Sequence, residues 1–440
     1  MAHPKIVFVG AGSVEFTQGL LADLFAFPEL KSARVALHDI DPERLDTAEA
    51  AARHIAAERG ADARITAHAD RRASLAGADF VINTVQIGMA EATRTDFRVP
   101  ARYGIRQTIG DTLGIGGVFR ALRTFPFLKE LGEDIAELCP DAWLLNYTNP
   151  MAMNVQYLAQ ATGLTRIVGL CHSVYWTMRD LAELLHVPYG AITYRAAGVN
   201  HQAWVLRFEH DGADLYPRLD ELLAREPQLR RRARMDMYRR LGHYPTETSE
   251  HSCEYVPWYL RHESEVERLR LPVGAYLDMT DENVASYHRT RDALATGAPL
   301  AVEGTMEYAP QVIHSIVTGT PRTLYGNVPN HGLIDNLPAH GVVEVPCLVD
   351  ASGVQPTRAG SLPPQLAALN RTYLSTNDLV VRAALHDEPR HIRHAAMTDP
   401  ATAATLTVRD IWRLCDDMVR AHGDLLQPSL RALLADPADG

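Results

Sequence analysis

The chain has 440 residues, of which 46% are hydrophobic and 22% are charged, and these values predict a folded protein of two or three domains and exclude a disordered or collagen-like chain. The formal net charge is −11 and no long basic run occurs, so neither nucleic acid nor an anionic membrane is expected as a partner. No signal-type segment precedes the first apolar run, and no run approaches a membrane span. Five cysteines at wide spacings, without a CxxC pair, favour a reducing compartment, and we expect a cytoplasmic protein.

Short β-branched runs alternate with helical patterns as far as residue 199. Strands are predicted at 5–9, 34–38, 65–68, 80–84, 143–146, 166–170 and 194–199, and helices at 43–59, 121–137, 151–161 and 177–185. Strands that alternate with helices indicate βαβ units and a parallel sheet. The sequence therefore predicts an α/β fold whose first domain is a Rossmann-type parallel sheet.

The pattern changes after about residue 195, which divides the chain into predicted domains 1–195 and 196–440. Residues 225–240 predict a charged helix or a partly mobile segment. Clusters of Pro, Asn and Gly at 326–346 and 353–364 predict long irregular loops. The last 70 residues are rich in Ala and Leu and are predicted to be helical.

A candidate nucleotide site lies at the first strand–helix turn. Gly10, Gly12 and Ser13 follow the first strand, where glycines let the backbone approach a pyrophosphate at a helix N-terminus. Asp39 ends the second strand, as expected for a carboxylate that binds the ribose of NAD, and it disfavours the 2′-phosphate of NADP. Asn83, at the end of the fourth strand, is assigned to the same site. Because Glu15 occupies the third glycine position of the fingerprint, an ordinary tight turn is the alternative.

A candidate metal pair follows two later strands. Cys171 and His201 each come just after a predicted strand, and ligands of open α/β sheets bind outside the carboxyl ends of the strands. A thiolate and an imidazole suit a divalent transition metal, whereas a buried free cysteine that only fills space is the alternative.

Other polar residues are expected at the same strand ends. Asp111 lies in a glycine-rich segment that suggests a close turn beside a ligand, and Asn149 precedes Pro150. The run 246–251 is acidic and polar. Helix caps are the alternative interpretation of Asn149 and of this run.

Together these motifs resemble glycoside hydrolase family 4, the NAD- and divalent-metal-dependent glycosidases. The resemblance spans essentially the whole chain and is closest to the bacterial α-galactosidases (melibiases) of the family, because Cys171-His172-Ser173-Val174 has their form. The motifs that carry it are Gly10–Ser13, Asp111–Gly117, Asn146–Ala152, Cys171–Val174, Gly198–His201, Tyr325–Val328, Leu333–Pro338, Cys347–Ala351 and Ala421–Asp424.

The resemblance implies a lactate/malate dehydrogenase-like α+β C-terminal domain, a homodimer or homotetramer, and the cofactors NAD and Mn²⁺, with other divalent first-row metals possible. It implies hydrolysis of unphosphorylated α-galactosides by C3 oxidation, C1–C2 elimination, water addition and re-reduction, and not by the usual two-carboxylate route. An α-glucuronidase, α-galacturonidase or α-glucosidase of the same family is the alternative. A lactate/malate-type dehydrogenase is the alternative from another class.

The resemblance also assigns roles. Cys171 and His201 match the metal ligands, and Gly10, Gly12, Ser13 and Asp39 match the NAD segment. Asn149 matches a sugar-binding asparagine, and His172 is the candidate proton donor to the leaving oxygen.

Two roles are assigned less directly. Asp111 is expected to bind sugar hydroxyls or to take the O3 proton. The base for the C2 proton is sought in the loop 244–250, where Glu247 is the first candidate and Tyr244 and Glu250 are rivals.

Overall fold

A computed structural model describes residues 3–298, 300 and 303–432. Thirteen strands of these residues form one mixed sheet. The strands are β1 (Lys5–Val9), β2 (Arg34–His38), β3 (Arg64–His68), β4 (Phe80–Asn83), β5 (Trp143–Asn146), β6 (Ile167–Gly169), β7 (Ile192–Val199), β8 (Gln202–His210), β9 (Ala213–Asp214), β10 (Tyr244–Pro245), β11 (Arg322–Pro329), β12 (Val342–Asp350) and β13 (Gly353–Pro356).

Helices cover both halves of the chain. They are α1 (Val14–Leu24), α2 (Pro42–Glu58), α3 (Arg71–Leu75), α4 (Met89–Ala101), α5 (Gly114–Leu138), α6 (Met151–Thr162), α7 (Ser173–Leu184), α8 (Tyr216–Arg225), α9 (Ala233–Leu241), α10 (Ser249–Ser252), α11 (Glu263–Leu269), α12 (Ala275–Thr296), α13 (Tyr308–Thr318), α14 (Pro364–Leu385), α15 (Arg390–Thr398), α16 (Pro400–Thr405) and α17 (Val408–His422).

The first six strands form the parallel half of the sheet, in the order β3-β2-β1-β4-β5-β6. Strands β1, β2, β4 and β5 carry continuous apolar runs, and Ile6–Val9 are fully buried because helices pack on the sheet. Helices connect most successive strands of this half, as in a doubly wound nucleotide-binding sheet. The predicted Rossmann-type fold is confirmed.

The same sheet continues as an antiparallel half. Strand β11 pairs with β6 at Asn327–Gly169, β12 pairs with β11, and β7 pairs with β12 at Glu344–Gly198. Strands β8 and β10 complete the order. One continuous sheet therefore places the ends of β6 and β7 on either side of the β11–β12 pair.

Some expectations need correction. The predicted loops are present at 330–341 and 357–363, but the ends of the predicted ranges 326–346 and 353–364 belong to β11, β12 and β13. The glycines after Asp111 lie in the first turn of α5, which begins at Gly114 and not at 121. Segment 225–240 contains a short 3₁₀ helix at Pro227–Arg231 followed by α9. In the described part of the chain, no helix combines the length and apolar character needed to cross a membrane.

Candidate active site

The first turn of the parallel half holds Asp39 against the backbone. Gly12 N–H donates to Asp39 Oδ2 at 2.7 Å, and a Cβ at residue 12 would lie 2.5 Å from the same oxygen. Gly10 has φ 89°, and a Cβ there would lie 2.9 Å from Val85 N. Glycine is needed at both positions because the backbone and the Asp39 carboxylate approach so closely.

The other predicted nucleotide residues have different surroundings. Ser13 precedes α1, and its N–H donates to Gly10 O at 3.0 Å without a cap from its side chain. Asn83 is fully buried, and its Nδ2 donates to Asn146 Oδ1 at 2.8 Å. Asn83 thus links the ends of β4 and β5.

The structure brings the predicted metal pair together. Cys171 lies two residues after β6 and His201 two residues after β7. One ligand atom each from Cys171, His201 and Glu247 lie within 4.8 Å of one another. Strands β11 and β12 lie between β6 and β7 in the sheet, but the Cys171 and His201 side chains still come together. The Glu247 carboxylate lies beside both.

Hydrogen bonds set the tautomer of His201. The Thr112 hydroxyl donates to Asp111 Oδ1 at 2.7 Å and lies 3.0 Å from His201 Nδ1. Because the Thr112 proton is used on Asp111, its oxygen accepts from Nδ1–H, and Nε2 of His201 keeps its lone pair. Burial and the nearby His251 lower the pKa of His201 to about 4, so the ring is neutral at neutral pH.

The other two members of the trio differ in charge. Burial, with the Glu247 and Glu344 carboxylates nearby, raises the pKa of the Cys171 thiol well above its usual value. Burial opposes ionisation of Glu247 as well, but His251, His201 and His172 outweigh it and lower the pKa of Glu247. The trio therefore combines a thiol, a neutral imidazole and a carboxylate.

His251 connects this trio with Asp111. Its Nε2 lies 3.4 Å from Asp111 Oδ1, its Nδ1 lies 3.6 Å from Glu247 Oε1, and its ring centroid is 4.1 Å from that of His201. Burial disfavours the charged form, but Asp111 and Glu247 raise the pKa of His251 to about 9. In turn, His251 holds the pKa of Asp111 below its usual value against the effect of burial. Asp111, His201 and His251 form a second trio of possible metal ligands.

Asn149 and Arg120 lie beside Asp111. Asn149 Nδ2 donates to Asp111 Oδ2 at 2.8 Å, and Arg120 Nε donates to the Asn149 carbonyl at 3.3 Å. Asn149 Oδ1 is buried without a hydrogen-bond partner. A buried amide oxygen that lacks a donor is free to accept from a ligand hydroxyl.

His172 lies at the edge of this cluster. Its Nδ1 is 2.7 Å from Glu307 Oε1, and its side chain is 40% exposed, whereas the Glu307 side chain is 3% exposed. Burial lowers the pKa of His172, but Glu307 more than offsets this and raises it. A solvent-facing imidazole that a buried carboxylate orients is suited to hold and deliver a proton.

The two rival base candidates make different contacts near the cluster. Tyr244 is buried in β10 with the Arg234 guanidinium 5.1 Å from its ring centre. Burial raises the pKa of Tyr244, and Arg234 and Arg232 oppose this rise. Glu250 contacts this region through its backbone, since its carbonyl accepts from Thr108 Oγ1 at 2.6 Å.

Sequence reasoning missed two titratable residues of the site region, Glu344 and Glu254, and included a third, His251, only as the last member of the run 246–251. His251 ends a run that also forms a cap, because Thr248 accepts from His251 N–H at 3.3 Å. Glu344 in β12 is fully buried, and neither carboxyl oxygen makes a regular hydrogen bond. Glu254 accepts from three successive backbone N–H groups at 108–110 and fixes the segment before Asp111. Only the spacing of four between Glu247 and His251 could have indicated one of them.

Two models of one protein family match the chain. The model for family 4 glycosyl hydrolases matches residues 5–187, and the model for the C-terminal domain of that family matches residues 196–402. An α-galactosidase from Bacillus subtilis is 40% identical over 96% of this chain and 99% of its own length. An α-galactosidase from Rhizobium meliloti is 32% identical over 98% of this chain and 91% of its own length.

Solved structures share the fold. A putative glucosidase from Bacillus subtilis has TM-score 0.88 at 26% identity, over 95% of this chain and all of that chain. A 6-phospho-α-glucosidase from gut microorganisms, crystallised with NAD and Mn²⁺, has TM-score 0.84 at 20% identity, over 96% of this chain and 99% of that chain.

The dehydrogenase fold also appears among the similar structures. A lactate dehydrogenase from Eimeria maxima has TM-score 0.53 at 17% identity, over 87% of this chain and 96% of that chain. The expected likeness to the dehydrogenase architecture is confirmed at the level of fold. The two family models together cover most of the sequence, and the first of them begins in β1. The chain belongs to family 4 of the glycosyl hydrolases.

Proposed function

We propose that the protein hydrolyses unphosphorylated α-galactosides with NAD and a divalent metal, by oxidation at C3, elimination across C1–C2, addition of water and re-reduction. One observation carries this proposal. Cys171, His201 and Glu247 converge within 4.8 Å outside the carboxyl ends of the strands of a nucleotide-binding sheet. Glycosidases that use two carboxylates have no need of a thiol and an imidazole in this place.

The donor set fits a first-row divalent ion such as Mn²⁺. His201 offers a neutral ring nitrogen and Cys171 offers a sulfur, and the Glu247 carboxylate lies beside both of them. A cation between them would also favour the thiolate of Cys171, which burial otherwise keeps protonated. The related 6-phospho-α-glucosidase crystallised with NAD and Mn²⁺ supports the same pair of cofactors here.

When bound, NAD would supply reversible hydride chemistry for C3 of the sugar, and the metal held by Cys171 and His201 would supply a Lewis acid for the sugar hydroxyls. Asp39, at the turn after β2, is suited to hold the ribose hydroxyls of NAD. Gly10, Gly12 and Ser13 shape the turn on which the pyrophosphate would rest, and Asn83 supports it from the adjoining strand end. Cys171 and His201 would hold the metal.

The remaining side chains handle protons and hydroxyls. His172, oriented by Glu307, protonates the leaving oxygen at C1. Glu247 removes the C2 proton, which the ketone at C3 has made acidic. Asn149 and Asp111 bind sugar hydroxyls, because Asn149 Oδ1 lacks a donor and Asp111 is held as a carboxylate.

One observation favours a second candidate, an α-galacturonide. Arg120 is 6% exposed and lies beside Asn149 and Asp111, where it could pair with a sugar carboxylate. An α-galacturonidase from Bacillus subtilis is 26% identical to this chain, against 40% for the α-galactosidase. The higher identity and the Cys-His-Ser-Val motif support the galactoside as the first candidate.

The proposal is tested by hydrolysis of p-nitrophenyl α-D-galactoside and α-D-galacturonide with NAD, Mn²⁺ and a thiol reductant. We expect turnover of the galactoside without net NADH, and exchange of a C2 deuteron with solvent. Cys171→Ser should lower both the activity and the Mn²⁺ affinity, whereas Cys139→Ser, 5% exposed at the end of α5, should change neither. Unchanged Mn²⁺ affinity in Cys171→Ser contradicts the metal assignment, and net NADH production favours a dehydrogenase.

A further inference from the structure

An aromatic cluster begins one helical turn beyond His172. Trp176 is 40% exposed, and its ring centroid lies 6.3 Å from that of His172 at an interplanar angle of 80°. The backbone N–H of Trp176 donates to the His172 carbonyl at 3.0 Å. The two residues, four positions apart, therefore lie on one face at the start of α7. A large apolar ring is therefore exposed directly beside the site.

Neighbouring rings hold Trp176 in place. Tyr175 lies 5.2 Å from Trp176 between ring centroids, and Tyr189 lies 5.4 Å from Tyr175, both edge to face. Arg179 approaches all three rings at 5.7–5.8 Å and donates to the Tyr175 hydroxyl at 3.0 Å. These contacts hold the Trp176 indole in one orientation. A ring that binds to it would therefore cost little additional side-chain entropy.

We propose that Trp176 binds the pyranose ring of the leaving group by stacking against its C–H face. The inference rests on the proposed function, in which His172 gives its proton to the oxygen that joins the two sugars. A leaving group attached to that oxygen extends past His172, and Trp176 is the next residue of α7 on that face. Pockets for small ligands are commonly lined by aromatic side chains with a few polar groups.

The position of His172 selects a sugar of the substrate over a second copy of the chain as the occupant. His172 is the exposed member of the pair that it forms with buried Glu307, so this side of the cluster is open to solvent. The Trp176 ring lies beside this solvent-exposed side of the cluster, almost perpendicular to the His172 imidazole. A second copy seated on Trp176 would cover His172 and close the path of the leaving group.

The test compares two substrates that share the galactosyl group. Melibiose carries a pyranose leaving group, whereas α-galactosyl fluoride carries a single atom. Trp176→Ala should lower kcat/KM for melibiose about tenfold, with a smaller loss in Trp176→Phe, and leave the fluoride within about twofold of wild type. Trp176→Ala should also weaken product inhibition by free glucose. Trp258→Ala, which removes another exposed tryptophan (37%), should change none of these values.

The outcomes separate the two proposals. A wild-type protein that turns over neither substrate overturns the proposed function and this inference with it. An active wild type, with equal losses on both substrates or with no loss on melibiose in Trp176→Ala, overturns this inference alone. A change of molar mass in light scattering with unaltered melibiose kinetics would make Trp176 part of an interface between copies, and the sugar site would again be overturned.

Discussion

Two residues of the site share an uncommon backbone conformation. His201 has φ 61° and Glu247 has φ 69°, in the left-handed region that residues other than glycine seldom adopt. Such conformations cost free energy and persist where the surrounding structure imposes them, often at functional sites. Two of the ten such residues in the described part of the chain are thus the two side chains that converge with Cys171, where the proposed metal and base lie.

Glu247→Gln separates the role of a base from that of a metal ligand. We expect kcat to fall by about two to four orders of magnitude, because the amide cannot take the C2 proton. Solvent exchange of a C2 deuteron should stop as well. Isothermal titration should show Mn²⁺ affinity close to wild type, since Cys171 and His201 remain.

The control for this measurement is Cys171→Ser, which should lose Mn²⁺ affinity. If Glu247→Gln loses the same affinity as Cys171→Ser, Glu247 is a ligand and the base lies elsewhere. Glu91→Gln, whose carboxylate is 71% exposed on α4, reports on general effects of removing a negative charge.

At the level of single residues, the sequence predicted the site side chains that follow strands. It missed the side chains that come close to the site only through the tertiary fold. Cys171 and His201 lie two residues after β6 and β7. The rule that ligands bind outside the carboxyl ends of strands therefore locates them. His251 reaches Asp111 across a separation of 140 positions, and no local pattern reports such a contact. Glu307 reaches His172 in the same way, from the residue before α13.

The strand β12 carries the least expected side chain of the sheet. Glu344 lies between Asn327 of β11 and Gly198 of β7 in the strand register, and it is fully buried. Burial, with Glu247 nearby, raises the pKa of Glu344 to about 8. A central strand therefore contains a carboxyl group that is protonated at neutral pH when no cation is bound.

Stability of the metal-free protein should depend on Glu344. The folded protein keeps this proton up to about pH 8, whereas the ordinary pKa of 4.5 applies after unfolding, so unfolding releases a proton between these values. The contribution of Glu344 to the free energy of unfolding is consequently highest below pH 4.5 and falls as the pH rises to 8. Glu344→Gln, which cannot ionise, should raise Tm at pH 8.5 by about 2–5 °C and raise it less at pH 5.

This measurement uses EDTA-treated protein and differential scanning calorimetry at both pH values. Glu91→Gln is the matched control on the surface. A gain in Tm that is equal at pH 5 and pH 8.5 would show that shape or packing, and not ionisation of Glu344, causes the change.

Element by element, the parallel half was predictable and the β11–β12 pair was not. Strands β1, β2 and β4 are continuous apolar runs between turn residues, which single sequences display well. Strands β11 and β12 contain glycine, asparagine and proline, which argue locally for a loop. Their pairing with each other over eight residue pairs outweighs that local preference.

A buried charge cluster ties the C-terminal helix to the parallel half. Arg123 of α5 donates to both oxygens of Asp96 in α4 at 2.9 and 2.7 Å, and His422 Nε2 of α17 lies 3.0 Å from Asp96 Oδ1. The Arg123 and Asp96 side chains are 0% and 2% exposed. The last long helix is thus connected to the core through the Asp96 carboxylate, which Arg123 pairs at both oxygens.

Arg123→Met should destabilise the whole molecule, because it leaves Asp96 buried without its main partner. Removal of one member of a buried ion pair typically costs about 3–5 kcal/mol, and thermal unfolding should show a clearly lower Tm. The double variant Asp96→Leu/Arg123→Met should recover part of the loss.

Arg94→Met on α4, the helix that carries Asp96, is the comparison at the surface. The Arg94 side chain is 47% exposed and pairs with Asp281 at 2.6 Å, and such exposed pairs contribute about 0–1 kcal/mol. Equal decreases of Tm in Arg94→Met and Arg123→Met would contradict the prediction that the buried cluster contributes more to stability than the exposed pair.

The convergence of the trio has a consequence for how enzymes of this kind can change. Cys171 lies in the segment matched by the first family model, whereas His201 and Glu247 lie in the segment matched by the second. Neither segment alone contains the donor set that we propose for the metal. Recombination that exchanges C-terminal halves between relatives would therefore have to rebuild the centre at the new junction. We expect substrate range in this lineage to diverge by point substitution around an inherited pairing of halves, and chimeras to be inactive unless both halves come from closely similar parents.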